Sequence, residues 1–148
     1  MLRMFKTRFF CGVATIFLLN LALNATEQNI YTKYGKKYGV SPQLLWAIAK
    51  TESNFNPMAI NKNKNGTFDI GIMQINTIHL SKLSKSGIEM QHLFIPEVNI
   101  DVGAKILYDC FEKHGINYKG LNCYNGKISG NTYYRKVMYN LEKRRKYE

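Results

Sequence analysis

Acidic side chains are scarce in this chain of 148 residues, in which 10 aspartates and glutamates stand against 21 lysines and arginines. The resulting net charge of +11 suits nucleic acid, an anionic membrane surface or an anionic polymer such as a cell wall, and does not choose among them. Proline is also scarce, and no proline-rich linker, repeat or change in composition divides the chain. Apolar residues make up 45% and aromatic residues 13%, which predicts one folded domain with a real core.

Histidine is rare as well. His79, His92 and His114 are scattered along the chain, and their spacing does not suggest a metal site. We therefore predict neither a metal nor a cofactor.

The N-terminus has the three parts of a secretory signal. A basic segment, "MLRMFKTR", is followed by the uncharged apolar run "FFCGVATIFLL" and by "NLALNA", which ends in a small residue. We predict that residues 1–25 are a signal peptide and that residues 26–148 form the mature domain. The alternative is an uncleaved membrane anchor, although residues 9–25 are near the short limit for a span. Export predicts a periplasmic protein with no nucleic-acid partner and no membrane span after cleavage.

Two cysteines remain after the predicted signal. Cys110 and Cys123 are close in the sequence, and in an oxidising compartment such a pair favours a disulfide over reactive thiols. Gly115 and Gly120 lie between them and allow the connecting segment to fold back. The alternative is a pair of buried free thiols.

Apolar periodicity predicts a mostly helical domain with a large irregular loop in the middle. One helix is expected from Ser41 and Pro42, a capping residue and a first-turn proline, to the Asn56-Pro57 pair. A long helix is expected from Asn99, as its cap, to Gly115. Further helices are expected at 31–38, 77–86 and 131–146.

The middle of the chain gives a weaker signal. Residues 56–69 are rich in asparagine, lysine and glycine, and "NKNKNG" predicts a solvated loop. The following segment, "FDIGIMQI", is short and is expected to form a small strand or a hairpin. The fold class is therefore mostly α with a small irregular or β segment.

Glu52 stands out because it lies on an apolar helix face. Leu45, Ile48 and Ala49 precede it by seven, four and three residues, so all four side chains share one face. A carboxyl group there loses hydration, which raises its pKa and suits a general acid. The alternative is an ordinary, partly buried glutamate that is satisfied by a local donor.

Four motifs in order resemble the lytic transglycosylases of the soluble-lytic (SLT) type: "ESNFNP", "DIGIMQI", "NCYNG" and "YYRKV". The resemblance runs from about Tyr38 to Val137. It implies a lysozyme-like, goose-type single domain and an enzyme that cleaves peptidoglycan glycan strands. The chain looks most like the small, single-domain members that accompany secretion and conjugation machines, whose components are then expected as further partners of a monomeric enzyme.

The resemblance also implies roles for residues in the first two motifs. Glu52 matches the catalytic acid, and Ser53 matches the serine that helps to position the carboxyl group. The family's "GLMQ" segment corresponds to residues 71–74, with isoleucine in place of leucine, so Met73 and Gln74 are candidates to line the glycan groove. Met73 could equally be part of the core, and Gly71 is expected to serve backbone geometry.

In the later motifs the match is less complete. The family's "AYNAG" appears here as "CYNGK", in which Tyr124 and Asn125 match but the alanine and the final glycine do not, so the shape of this loop departs from the family pattern. Tyr133 occupies the place of a family tyrosine close to the catalytic glutamate. Both tyrosines could instead serve packing.

In such a family a single carboxylate is sufficient. As the resemblance implies, the acid protonates the glycosidic oxygen between N-acetylmuramic acid and N-acetylglucosamine, and the sugar's own 6-hydroxyl then attacks C1 to form a 1,6-anhydromuramoyl end. Two alternatives remain: a hydrolytic muramidase, for which Asp69 is the best second carboxylate, and a non-catalytic peptidoglycan-binding assembly factor. Asp69 could also simply order its loop.

Overall fold

The structure is a computed structural model that describes residues 30–147, so the predicted signal peptide lies outside the described residues. Six helices, short 3₁₀ turns and a three-stranded antiparallel sheet make up this part of the chain. In chain order the elements are α1 (30–38), α2 (Pro42–Ser53), β1 (Ile60–Lys62), β2 (Phe68–Ile70), β3 (Ile75–Asn76), α3 (Leu80–Leu83), α4 (Pro96–His114), α5 (Tyr118–Tyr124) and α6 (Tyr133–Tyr147).

Helix α2 begins where the sequence predicts. The Ser41 hydroxyl accepts a hydrogen bond from the Leu44 N–H at 3.3 Å, and Pro42 occupies the first turn. The helix ends at Ser53, before the predicted Asn56-Pro57 stop, because Asn54 adopts a left-handed conformation with φ of 54°. Glu52 therefore lies in the last turn of the helix.

The apolar face of α2 forms part of the core. Leu45, Ile48 and Ala49 are fully buried, as the sequence predicts, together with Leu107 of α4 and Val137 of α6. Burial of a leucine or isoleucine side chain contributes about 2 kcal/mol, so this face fixes the position of α2.

Helix α1 is bound to α4 by two matching pairs of side chains. Lys33 and Lys37 form ion pairs with Glu97 and Asp101, at 2.6 and 2.8 Å, and the hydroxyl of Tyr38 donates to Asp101 at 2.8 Å. The partners on each helix are four residues apart and so lie on the same face.

The sheet corrects one expectation for the middle of the chain. Residues 60–62 lie in the predicted solvated loop, but they form strand β1, which pairs antiparallel with β2 through Ile60 and Ile70. Only residues 63–67 join the two strands. Strands β2 and β3 form the predicted hairpin of the "FDIGIMQI" segment.

Helix α4 starts four residues earlier than the sequence predicts. It begins at Pro96, and Asn99 is a fully buried residue inside its first turn, so the prediction that Asn99 caps this helix was wrong. Proline at the first helical position supplies the start signal instead. The helix ends at His114, and Gly115 follows it as the predicted stop.

Two further helices differ from the expected pattern. The segment 77–86 is a four-residue helix flanked by two 3₁₀ turns rather than one continuous helix, and Gly87 closes it with φ of 74°. Helix α5 was not predicted. Its start is capped by the Asn117 side chain, which accepts from the Lys119 N–H at 2.8 Å. None of the helices within residues 30–147 combines the length and apolar character that crossing a membrane requires.

Candidate active site

Glu52 and Tyr133 meet where α2 and α6 pack together. The Tyr133 hydroxyl donates a hydrogen bond to Glu52 Oε1 at 2.6 Å, and the Tyr133 side chain is almost completely buried. Burial, with the nearby charge of Glu52, raises the pKa of Tyr133 well above its ordinary value. The phenol therefore stays protonated and can stabilise the carboxylate form of Glu52.

The carboxyl group of Glu52 is strongly perturbed. Burial raises its pKa from 4.5 to about 7, against the hydrogen bond from Tyr133, which lowers it. The negative charge of Asp69 raises the pKa further, and the positive charge of Lys136 lowers it. Because the apolar surroundings dominate, Glu52 can carry a proton near neutral pH, which is the property that general acid catalysis requires.

Asp69 lies on β2 and is held by two side-chain amides. Its two carboxylate oxygens accept hydrogen bonds from Asn63 at 3.0 Å and from Asn76 at 2.6 Å. These partners are side chains rather than the backbone N–H groups of an ordered loop. They stabilise Asp69 as a fixed negative charge, which acts on Glu52 through space.

The turn between β2 and β3, residues 71–74, requires unusual backbone geometry. Gly71 has φ of 79°, and a Cβ there would lie 2.3 Å from both Asn99 Nδ2 and Leu93 O. Gln74 also has a positive φ, of 51°, and its side-chain amide donates to the Gly71 carbonyl at 2.9 Å. This strained backbone places Gln74 at the cavity described below.

Side chains from three helices hold this turn. Ser53 of α2 donates to Ile72 O at 2.7 Å, and the Tyr124 hydroxyl of α5 donates to Met73 O at 2.9 Å. Asn99 of α4 accepts from the Met73 N–H at 2.8 Å and donates to Ile70 O and Leu93 O. Because each of these groups is tied to a different helix, the turn is fixed relative to Glu52.

The C-terminal end of α5 is tied to α4 by a disulfide. Cys110 and Cys123 are bonded, with their Cα atoms 5.7 Å apart. Tyr124 and Asn125 follow Cys123 directly, and the Tyr124 ring stacks against Tyr133 with centroids 6.4 Å apart. The bond therefore holds the "CYNGK" segment beside the Glu52–Tyr133 pair.

These elements surround a cavity of about 1160 Å³. Of the residues singled out from the sequence, Glu52, Gln74, Tyr124 and Asn125 line it, and Asp69 lines it as well. Such a volume accommodates several sugar-sized groups.

The remaining three candidates take other places. Ser53, Met73 and Tyr133 are not among the lining residues. Ser53 holds Ile72, Met73 is fully buried beneath the turn, and Tyr133 contacts Glu52 from inside the protein. Within the described chain, no group of three histidine, cysteine or acidic side chains could hold a metal ion.

Sequence reasoning missed two buried asparagines. Asn99 was interpreted as a helix cap, and Asn122 was not singled out. These two asparagines are the fully buried polar residues within the described chain. Buried carboxamides require hydrogen-bond partners, and here both find backbone groups of the segments that form the site. The only signal in the sequence was an asparagine within each apolar helix pattern.

The chain matches the transglycosylase SLT domain family over residues 29–146. It is 36% identical over 110 residues to invasion protein IagB of Salmonella typhi, a match that covers 74% of this chain and 69% of that one. It is 30% identical over 138 residues to a peptidoglycan-binding-like protein of Escherichia coli O157:H7, covering 88% of this chain and 83% of that one.

A solved structure has the same fold. The lytic transglycosylase Slt of Pseudomonas aeruginosa matches 76% of this chain with a TM-score of 0.57 and 21% identity. The match covers 20% of that chain, so the present chain spans about a fifth of the Slt length. The mostly helical fold with a small sheet is therefore the predicted lysozyme-like fold.

Proposed function

The chain belongs to the transglycosylase SLT family, and from this premise we propose that it is a peptidoglycan lytic transglycosylase in which Glu52 acts alone as acid and base. The single observation that carries the proposal is the buried Glu52 carboxyl, with its pKa raised to about 7, beside a cavity. The name of the peptidoglycan-binding-like relative supports the substrate class.

The proposed reaction has two proton transfers at one carboxyl group. Protonated Glu52 donates to the glycosidic oxygen between N-acetylmuramic acid and N-acetylglucosamine as the C1–O bond breaks. The 2-acetamido oxygen of the muramic acid stabilises the positive charge at C1. The 6-hydroxyl of the same sugar then attacks C1 and returns its proton to Glu52, which leaves a 1,6-anhydromuramoyl end and consumes no water.

The Tyr133 hydroxyl and the burial of Glu52 have opposite effects on the two protonation states that Glu52 must adopt in this cycle. Burial favours the protonated acid, whereas the hydrogen bond from Tyr133 stabilises the carboxylate that forms after the first proton transfer. Gln74, Tyr124 and Asn125 line the cavity, where Gln74 and Asn125 offer polar groups to the sugars and Tyr124 offers its ring. Ser53 and Met73 contribute through the turn that holds Gln74.

One observation favours a second candidate, a hydrolytic muramidase. Asp69 lines the same cavity as Glu52 and could act as a second carboxylate. Both Asp69 oxygens already accept hydrogen bonds from Asn63 and Asn76, which supports an electrostatic role instead. A non-catalytic binding factor would have no need for a carboxyl group with this raised pKa.

The second part of the proposal concerns biological role. Export by residues 1–25 would place the enzyme in the periplasm, where it would open the wall locally for a secretion or conjugation apparatus. The resemblance to small, single-domain members that accompany such machines supports this role, as does the match to a relative named an invasion protein.

The Glu52→Gln variant tests the catalytic proposal. Glutamine has the shape of glutamic acid but cannot donate its proton, so we expect a folded variant that releases no soluble fragments from purified peptidoglycan. Circular dichroism serves as the control for folding. Substantial cleavage by the folded variant would remove Glu52 from the mechanism, and binding without cleavage by the wild-type protein would favour the assembly factor.

A further inference from the structure

The buried Asn122 side chain uses all its hydrogen bonds on the segment that leads into α6. Its amide nitrogen donates to Ile128 O at 3.1 Å and to Asn131 O at 3.2 Å. Its amide oxygen accepts from the Tyr134 N–H at 3.1 Å. One carboxamide, 1% exposed, therefore connects α5 to both sides of the entry into α6.

Asn131 completes the same arrangement from the loop. Its side-chain oxygen accepts from the Tyr133 N–H at 2.8 Å, and its amide nitrogen donates to Lys127 O at 2.9 Å. Asn122 and Asn131 thus bind the first two backbone N–H groups of α6, which have no partner within the helix. Side-chain acceptors at such groups stabilise the start of a helix.

The functional consequence follows from the place of Tyr133. It is the first residue of α6, and its phenol is the hydrogen-bond donor to Glu52. The first turn of a helix is where fraying begins when its N–H groups lose their partners. Loss of either asparagine would therefore move the residue that contacts the carboxyl group.

We propose that Asn122 and Asn131 are positioning residues of the active site: their carboxamides fix the first turn of α6 so that the Tyr133 hydroxyl meets the Glu52 carboxyl. This inference deepens the proposed function and rests on it for its catalytic meaning. The hydrogen-bond geometry itself is independent of the reaction.

The pKa of Glu52 reports on this contact. The groups that act on Glu52 are Tyr133 and Lys136 of α6 and Asp69 of β2. Tyr124 of α5 is near enough for the charge of Glu52 to raise the pKa of Tyr124. Among the groups that act on Glu52, Tyr133 is the hydrogen-bond donor, and its bond lowers the pKa of Glu52. If the first turn of α6 loses its caps, the hydrogen bond from Tyr133 weakens and the pKa of Glu52 should rise. General destabilisation of the fold does not produce such a rise.

The experiment is an NMR titration of the mature protein labelled with ¹³C at the glutamate carboxyl groups, without substrate. The Glu52 signal is assigned by its loss in Glu52→Gln. In Asn131→Ala, Asn122→Leu and Tyr133→Phe we expect the pKa of Glu52 to rise by about one pH unit. Combining Asn131→Ala with Tyr133→Phe should give no further rise, because both remove the same hydrogen bond.

Asn117→Ala is the matched control. Asn117 caps α5 in the same way, through the Lys119 N–H, and contacts neither Tyr133 nor Glu52. This variant should lower stability but leave the pKa of Glu52 unchanged. Asn131 is partly exposed, so its replacement tolerates folding and decides the matter even if Asn122→Leu does not fold.

An unchanged Glu52 pKa in folded Asn131→Ala would overturn the inference, as would an unchanged pKa in Tyr133→Phe. The proposed function has a separate test, since cleavage by the folded Glu52→Gln enzyme would overturn it whatever the pKa of Glu52 is in the asparagine variants. If the function holds, the alkaline limit of wall cleavage should move to higher pH in the same variants, because protonated Glu52 then persists to higher pH.

Discussion

The Glu52 carboxyl group is buried and titratable, so its pKa determines how its contribution to the free energy of unfolding changes with pH. Its folded-state pKa of about 7 lies above the 4.5 of an exposed glutamate. The folded protein therefore binds this proton more tightly than the unfolded chain does. The stabilising contribution is fully present below the unfolded pKa and is lost as the pH rises through about 7.

Removal of this charge should therefore stabilise the protein at alkaline pH. We expect Glu52→Gln to exceed the wild-type free energy of unfolding by about 3 kcal/mol near pH 8, and to match it near pH 4. Urea denaturation at both pH values measures the difference, with Glu112→Gln on the exposed side of α4 as the control for loss of a carboxylate. A variant that is equally stable or less stable at pH 8 would contradict the burial of a charge at this position.

Asp69 should set the alkaline limit of activity through its charge. Because its carboxylate raises the pKa of Glu52, Asp69→Asn should lower that pKa and move the alkaline limit of cleavage to lower pH. The rate of wall cleavage measured across pH tests this shift. Asp109→Asn removes a carboxylate that is paired with Lys105 and should leave the limit in place. Complete loss of cleavage in Asp69→Asn at every pH would instead favour the hydrolase.

At the scale of elements, the turn 71–74 depends on a single glycine. Gly71→Ala must accommodate a methyl group 2.3 Å from Asn99 and from Leu93 O, in addition to a positive φ. Gly66 has a similar φ, of 83°, but open space around it. Gly66→Ala therefore measures the cost of backbone conformation alone, about 1 kcal/mol.

We expect Gly71→Ala to lose about 3 kcal/mol or more, because overpacking adds to the backbone cost. Cleavage should fall with it, since the displaced turn carries Gln74. Thermal unfolding and wall cleavage of the two variants provide the comparison. Similar effects of the two substitutions would mean that the turn is not held as tightly as Asn99 implies.

The elements differ in how far they could be predicted. Helix α2 follows from local signals, because Ser41, Pro42 and the apolar repeat that ends at Glu52 all act within the helix itself. Helix α5 does not, because it is short and interrupted by Gly120. A Cβ atom at position 120 would lie 2.4 Å from Gly115 O. Gly120 is therefore explained by close packing and does not break the helix.

The same limit explains the misinterpreted Asn99. An asparagine before an apolar stripe is a common helix cap, and the sequence alone did not show that its partners would be Ile70, Met73 and Leu93. Ile70 and Met73 are 29 and 26 positions away from Asn99, and contacts at such separations leave no local pattern. Asn122 was missed for a related reason, since its partners lie 6 to 12 positions away, in the loop before α6 and in the first turn of α6.

At the scale of the whole molecule, the order of the motifs predicted the fold because each motif lies on a different element that converges on one cavity. The transglycosylase SLT family match over residues 29–146 and the Slt structure confirm that fold. The chemistry follows from fewer residues. A buried acid, a phenol that donates to it and a second carboxylate held by amides support the proposed one-carboxylate cleavage.

The central claim is that Glu52 alone performs both steps, with the sugar's own hydroxyl as nucleophile. Mass analysis of the fragments released from purified peptidoglycan by the mature protein tests it most directly. The account predicts fragments with 1,6-anhydromuramoyl ends, each lighter by one water molecule than the hydrolysis product, and none from Glu52→Gln. Reducing-end muramic acid as the main primary product would contradict the account and assign the enzyme to the hydrolases.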